Sequence, residues 1–286
     1  MENNKKILES SKKLSSYGDG ESRFSFLEKI LAPLFLALTA IYFVMLIFPI
    51  ISMIRYSGGS HIIQTLYDQD NIKTIILSFV TSLIALIFTF IIGTPTAFCI
   101  NFVRNKVLSK ILDIFVEIPV VLPPAVAGIA LLLAFGKNGV VGNFLSNHGI
   151  NVIFTSTAVI IAQFFVSSAL YVRVLRDSVK SVPIELFEVS YVLGAGKIET
   201  IIKIMIPMLK KSIVSGLILA WIRSLGEFGA TLMFAGNIIG KTRTIPLQIY
   251  TYMQDDIKMA TAFATILYIM TFVLLLLVRL SIRDDD

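Results

Sequence analysis

The chain has 286 residues, of which 56% are hydrophobic and 15% are charged. A mean hydropathy of +0.82 marks more apolar surface than a soluble core hides, so the sequence reads as an integral membrane protein. The single cysteine, Cys99, excludes a disulfide scaffold, the apolar composition excludes a disordered chain, and the net charge of +6 reads as a topology signal rather than a nucleic-acid footprint.

Residues 1–29 carry Lys5, Lys6, Lys12, Lys13, Arg23 and Lys29 among serines, with no apolar signal-peptide core. They read as a poorly ordered cytoplasmic polar tail whose end, with Phe24, Phe26 and Leu27, lies on the membrane surface. A helix needs about 20 apolar residues to cross ~30 Å of hydrocarbon. Six runs are candidates: 30–54, 74–103, 111–135, 152–172, 212–235 and 259–278. The second has Gly93 and Pro95 near its end. The third is broken by Glu117, Pro119, Pro123 and Pro124. The fifth holds Arg223 and Glu227. Eighteen Lys and Arg fall in the tail, 104–110, 173–211 and the C-terminal end, against six on the opposite side. The positive-inside rule then predicts both termini, 281–286 included, in the cytoplasm.

The segment 173–211 is the longest on that side and mixes charge with periodic apolar residues. Within 181–207, Pro183 and Glu185 suit a helix start: the proline lacks an N–H that has no partner there, and the carboxylate faces the positive end of the helix dipole. Leu186, Val189 and Leu193 recur at helical spacing, and Gly194 and Gly196 stop the helix. A second amphipathic stretch carries Ile198, Ile201, Ile202 and Met205 with Lys197, Glu199 and Lys203, and Pro207 closes it. The shape is helix, glycine turn, helix along the cytoplasmic face.

That segment resembles the cytoplasmic signature of ABC importer permeases. The signature runs Glu-Ala-Ala, three residues, Gly, nine residues, Ile, one residue, Leu-Pro. Here Glu188-Val189-Ser190, Gly194, Ile204 and Ile206-Pro207 keep the spacing, with Val and Ser for the alanines and Ile for the leucine. The resemblance implies coupling helices that sit in a cleft of an ATPase subunit. The stretch Ser224-Leu-Gly226-Glu227-Phe228-Gly229-Ala230-Thr231 through Gly236-Asn237 resembles the molybdate permeases. So do Thr242-Arg-Thr244-Ile-Pro246-Leu-Gln-Ile-Tyr250 and Ile118-Pro119-Val-Val-Leu-Pro123-Pro124 with Gly128, Leu131 and Gly136. Tungstate permeases share the pattern; sulfate permeases usually carry Tyr-Gly-Ser where this chain has Phe228-Gly229-Ala230. The resemblance covers roughly residues 70 to 280.

Other motifs carry less. Gly236 to Thr242 looks like a phosphate-binding loop, but Ala235 stands where its first glycine belongs and the stretch falls outside the cell. Lys241 and Arg243 read as solvated loop charges, with contact to a donor protein as the alternative. His61 and His148 lie in different outer loops with no ligand partners at metal-binding spacing. Cys99 reads as a small apolar filler, and Arg173 as a snorkelling residue at the end of the fourth span. Arg223 and Glu227, four apart, share a helix face; they either line the translocation cavity or its gate, or form a structural ion pair. Gly226 and Gly229 allow close helix approach or a kink. Pro123 and Pro124 free backbone carbonyls, which is tolerated against protein or a watery cavity.

The expectation is therefore an all-α integral membrane permease of six spans with the type I ABC importer fold. The resemblance implies import of molybdate or tungstate, with sulfate or thiosulfate as the alternative and an ion-coupled secondary transporter as the rival class. It further implies a permease homodimer, two separate ABC ATPase subunits carrying ATP and Mg, and one extracytoplasmic oxyanion-binding protein. Contact with membrane lipid but not nucleic acid follows, and this chain would itself have no cofactor, metal site or catalytic residue.

Overall fold

The computed structural model describes the backbone of residues 2–183 and 185–281, and the side chains of 31–183, 185–276 and 279. The expected cytoplasmic end at 282–286, the tail side chains and Ile184 lie outside the described residues. Those residues hold thirteen α-helices in chain order and no strand. The chain divides into two units, 1–56 and 57–286.

Helix α1 runs Glu2–Tyr67 and is interrupted at Gly58, whose φ of 66° is outside the helical range. The backbone is thus helical through the stretch read from sequence as a loose tail, and again through most of the first outer loop. From Leu31 onward the apolar side chains of the first unit face outward, as a lipid-facing span requires.

In the second unit α2 (Gln69–Phe102) begins at Asp68, whose carboxylate accepts from the backbone N–H groups of Asp70 and Asn71. It starts five residues before the expected span because that cap lies in the polar stretch before it. Helix α3 (Lys106–Val121) is capped by Asn105 and α4 (Pro124–Phe135) starts on Pro124. The pair is bent by 111° at the Leu122–Pro123 junction, so the expected third span is a broken one. Helix α5 (Val140–Asn147) occupies the second outer loop. Helix α6 (Ser156–Lys180), capped by Thr155, runs eight residues beyond the expected 172. The segment between α6 and the fifth span holds α7 (Glu185–Val192), α8 (Lys197–Thr200), a π turn (Ile201–Met205) and α9 (Ile206–Met208). Helices α10 (Lys210–Leu225) and α11 (Gly229–Ala235) form a second broken span, bent by 58°. Helix α12 (Ile245–Asp255) fills the third outer loop and α13 (Ile257–Ser281) is the last span. Counting each bent pair as one, six segments can cross a membrane.

Small residues and a few polar bonds let these helices approach closely. Gly93 of α2 lies against Tyr171 of α6, where an added Cβ would be 2.8 Å from the ring. Beside it the Thr94 and Tyr171 hydroxyls are 2.7 Å apart. Further along, Asn101 donates to the Arg176 carbonyl. Both contacts advance together along the chain, so α2 and α6 run parallel, as two spans separated by one crossing must. Trp221 of α10 donates to Ser82 of α2 at 3.0 Å. Cys99 is exposed on α2 and fills no gap, which corrects its reading as a packing residue.

Candidate functional site

Two regions hold the residues singled out by sequence. The first is the helix pair α7–α8. Helix α7 ends as the glycine pattern requires: Gly194 sits at φ 85°, a left-handed conformation with little penalty only for glycine, and Ala195 donates back to the Ser190 carbonyl. Ser190 is buried and its hydroxyl lies 3.0 Å from that of Thr200, which ties α7 to α8. The departure from alanine at this position therefore supplies a hydrogen bond. Ile204 falls in the π turn and Pro207 in the short helix after it; the Ile206 N–H bonds to the Ile201 carbonyl five residues back.

Leu186 and Phe187 are half-buried, and Phe187 meets Phe102 edge-on at 5.4 Å between ring centroids. Val189, Tyr191, Val192, Leu193, Ile198 and Ile202 are exposed, Val192 at 85% and Leu193 at 80%. Glu188 is exposed beside them. Exposed apolar side chains gathered on so short a segment form a patch of the kind that marks interaction sites. The Glu199 carboxyl is held below the ordinary carboxylate range, and the Lys203 ammonium above its own, by the hydrogen bond and charge they exchange at 2.6 Å. Under the pair, a cavity of about 530 Å³ is walled by Phe102, Val179, Val182, Phe187 and Ile201, with Asn101, Lys180 and Lys197 also lining it.

The second region is where the two broken spans meet. Helix α4 packs on α11 through glycines on both sides. A Cβ on Gly128 would lie 2.7 Å from the Met233 Cβ and 2.8 Å from the Ala230 Cα, and one on Gly229 would lie 2.8 Å from the Pro124 Cβ. The structure thus joins Pro124 to Gly229, with Pro123 as the cap position of α4. Gly226 caps the C-terminus of α10.

Glu227 is 1% exposed. One carboxylate oxygen accepts from Arg223 Nη1 at 2.7 Å and the other from the Ala230 N–H at 2.8 Å. The side chain therefore caps α11 and pins it to the end of α10 across the break. Arg223 remains 36% exposed, with guanidinium donors left over. Of the two alternatives for the pair, the structural one accounts for Glu227, and only Arg223 presents charge to open space.

Several residues carry more than the sequence suggests. Arg243 is not a solvated loop charge: Nε donates to Asn237 at 2.8 Å and Nη1 to Gln248 at 3.3 Å. Lys241 is exposed, and its carbonyl accepts from Ser156. Arg176, absent from the sequence reading, is buried at the end of α6 among the carboxylates of Asp113, Glu117 and Asp177. Its signal was available: Val172, Leu175, Arg176 and Val179 continue the helical stripe past 172. Among the described residues no group of three or more side chains is placed to hold a metal ion.

Comparison with known proteins adds the following. Residues 89–283 match the family described as "Binding-protein-dependent transport system inner membrane component". The molybdenum transport system permease protein ModB of Mycobacterium tuberculosis is 36% identical over 202 residues, 71% of this chain and 76% of that protein. ModB of Escherichia coli K12 is 36% identical over 184 residues, 64% of this chain and 80% of that one. The sulfate transport system permease protein CysT of Salmonella typhimurium is 34% identical over 166 residues, 58% and 60% of the two chains. In fold, the chain is similar to a bacterial ABC transporter involved in import of the acidic polysaccharide alginate, with a TM-score of 0.72 at 19% identity over 92% of this chain and 99% of that one. It is similar also to the inward-facing MetNI methionine ABC transporter, with a TM-score of 0.60 at 16% identity over 74% and 94%. The all-helical membrane fold expected from sequence is thus that of type I importer permeases.

Proposed function

Because this chain belongs to the family of binding-protein-dependent transport system inner membrane components, we propose that it is the permease subunit of an ATP-driven importer of molybdate or tungstate. The observation that carries this is the exposed apolar ridge on the glycine-hinged pair α7–α8, which has the shape and chemistry to fill a cleft on an ATPase subunit. Two such permeases enclose the pathway as a homodimer, two ATPases bind below and one oxyanion-binding protein docks above. The chain itself catalyses nothing; ATP and Mg belong to the ATPases. Both termini face the cytoplasm, supported by the distribution of Lys and Arg.

The anion passes the junction of the two broken spans, where Arg223 offers a partly exposed cation at the break between α10 and α11. Glu188, Val189, Ser190, Gly194, Ile204 and Pro207 serve coupling. Glu188 meets a basic partner, Val189 fills the cleft, and Ser190, Gly194, Ile204 and Pro207 hold the shape of the segment.

The test is uptake in proteoliposomes holding the permease, its ATPase and its binding protein. ATP-dependent molybdate uptake, suppressed by tungstate and weakly by sulfate, is the expected result. Uptake competed best by sulfate would move the substrate to the alternative that the CysT likeness supports. ATP-independent, gradient-driven uptake would overturn the importer reading.

A further inference from the structure

The charge cluster at the inner end of α6 is not used by anything above. Arg176 is four residues before the end of α6, and its side chain is 8% exposed. Nη1 lies 2.6 Å from Asp113 Oδ1. Nη2 lies 3.2 Å from Asp177 Oδ1 and 3.7 Å from Glu117 Oε1. Lys180 adds a longer contact to Asp113, at 3.8 Å. The Arg176 carbonyl accepts from Asn101 near the end of α2. One residue therefore touches α2 through its backbone and α3 through its side chain. It sits one turn from the segment that begins at Ser181.

The sequence of α3 is built for this contact. Val107, Ile111, Ile114, Ile118 and Val121 recur at helical spacing and are exposed, a stripe suited to lipid. Asp113 and Glu117, four apart, face α6 instead. The charged face of α3 is thus turned toward Arg176, with Lys180 at a longer distance from Asp113. The guanidinium spans the two helices: Nε and Nη2 donate to Asp177 of α6 while Nη1 lies against Asp113 of α3, a division that an ammonium, a point charge, does not reproduce. Four residues after Glu117 the helix ends at the 111° break into α4, which carries the glycine seam to α11.

We propose that Arg176 is the positioning residue that carries movement of the coupling segment into α3, and through the α3–α4 break to the pathway. The segment is fixed to the same place from its other side, since Phe187 packs on Phe102 next to Asn101. A shift of α7 thus displaces the ends of α2 and α6 together. The Arg176 guanidinium, with the longer Lys180 contact beside it, carries that displacement across to Asp113 and Glu117 of α3. The proposal rests on the importer reading above.

The test compares wild type, Arg176→Gln, Arg176→Lys, and the exchange of Arg176→Asp with Asp113→Arg, each in the full complex with ATPase and binding protein. Co-purification of the ATPase should persist in all, because the exposed ridge is untouched. In Arg176→Gln, and more mildly in Arg176→Lys, uptake per ATP hydrolysed should fall about tenfold or more, since the geometry of the fork is lost while ATP turnover continues. The exchange should recover part of it. Hydrogen exchange of residues 106–121 should respond to nucleotide in the wild type and not in Arg176→Gln.

Unchanged uptake per ATP in well-folded Arg176→Gln overturns the proposal. So does a loss that tracks only the amount of folded complex, with Arg176→Lys fully coupled and α3 still responding to nucleotide. Absence of ATP-driven uptake in the wild type would instead overturn the importer reading beneath it.

Discussion

The α7–α8 helix pair and the junction of the two broken spans invert each other's chemistry. In the helix pair, large apolar side chains such as Val192 and Leu193 are exposed. In the junction, within the bilayer, a carboxylate is buried with both oxygens engaged. The first arrangement is stable only because folding does not depend on it; the second is what folding must complete. Exposed apolar surface in water points to a partner, whereas a fully satisfied buried charge points to internal architecture.

Substitutions should separate the two regions by what they change. The largest loss of folded protein is expected from Arg223→Ala. It strands the buried Glu227 carboxylate; breaking a fully buried pair from one side costs about 3–5 kcal/mol, and the 36% exposure of Arg223 discounts that figure. Thermal unfolding in detergent should show a large drop, partly recovered by adding Glu227→Gln. A drop no greater than that of a surface change would mean the pair does not hold the break together. Next is Gly128→Leu, whose side chain has no room against Ala230 and Met233 and should cost at least ~1–3 kcal/mol by overpacking. Its check is the melting temperature in detergent.

In the α7–α8 pair the pattern reverses. Gly194→Leu meets nothing within 4 Å but must hold a positive φ, a local strain of about 1–3 kcal/mol confined to the turn. Melting of the spans should barely move while ATPase co-purification is lost. Leu193→Asp should change stability by less than ~0.5 kcal/mol and still abolish co-purification. Retained ATPase in both variants would remove the ridge as the docking surface.

The smallest effect concerns Glu199 and Lys203. Glu199's depressed pKa makes its contribution present at neutral pH and lost as pH falls through the folded value. Lys203's raised pKa makes its contribution present at neutral pH and lost as pH rises through the folded value. Exchange protection of α8 should stay flat across the neutral range and decline only at the two extremes.

Much of this contrast is legible in the sequence. Charge-free runs mark α2, α6 and α13 because lipid tolerates little else, and Gly194 marks its turn because few residues take that φ. Arg223 and Glu227 are legible as a pair from their spacing. The additional role of Glu227 in capping α11 is not, because it requires the break after α10. The broken third span is signalled by Pro123 and Pro124, but its 111° bend depends on tertiary packing. Helices α5 and α12 hide in outer loops rich in Gly, Asn and Tyr. The second is set by long-range bonds, Ser78 accepting from the Ile245 N–H and Asn71 from the Tyr252 hydroxyl. Arg176 is missed because ending α6 at the first charged residue severs it from its own stripe.

The π turn at Ile201–Met205 bears on how the length of this segment can vary. A π turn accommodates one residue more than the α-helical turn it replaces, and each helical residue rotates the chain by about 100°. The nine residues between Gly194 and Ile204 thus include one whose rotation is absorbed locally. A homologue with eight there could present the same faces from an unbroken α-helix. One with ten and no second bulge would swing Met205 and Leu209 out of the core they now fill. Insertions and deletions in this segment are therefore constrained by angle, and a count of residues alone misjudges which lengths are equivalent.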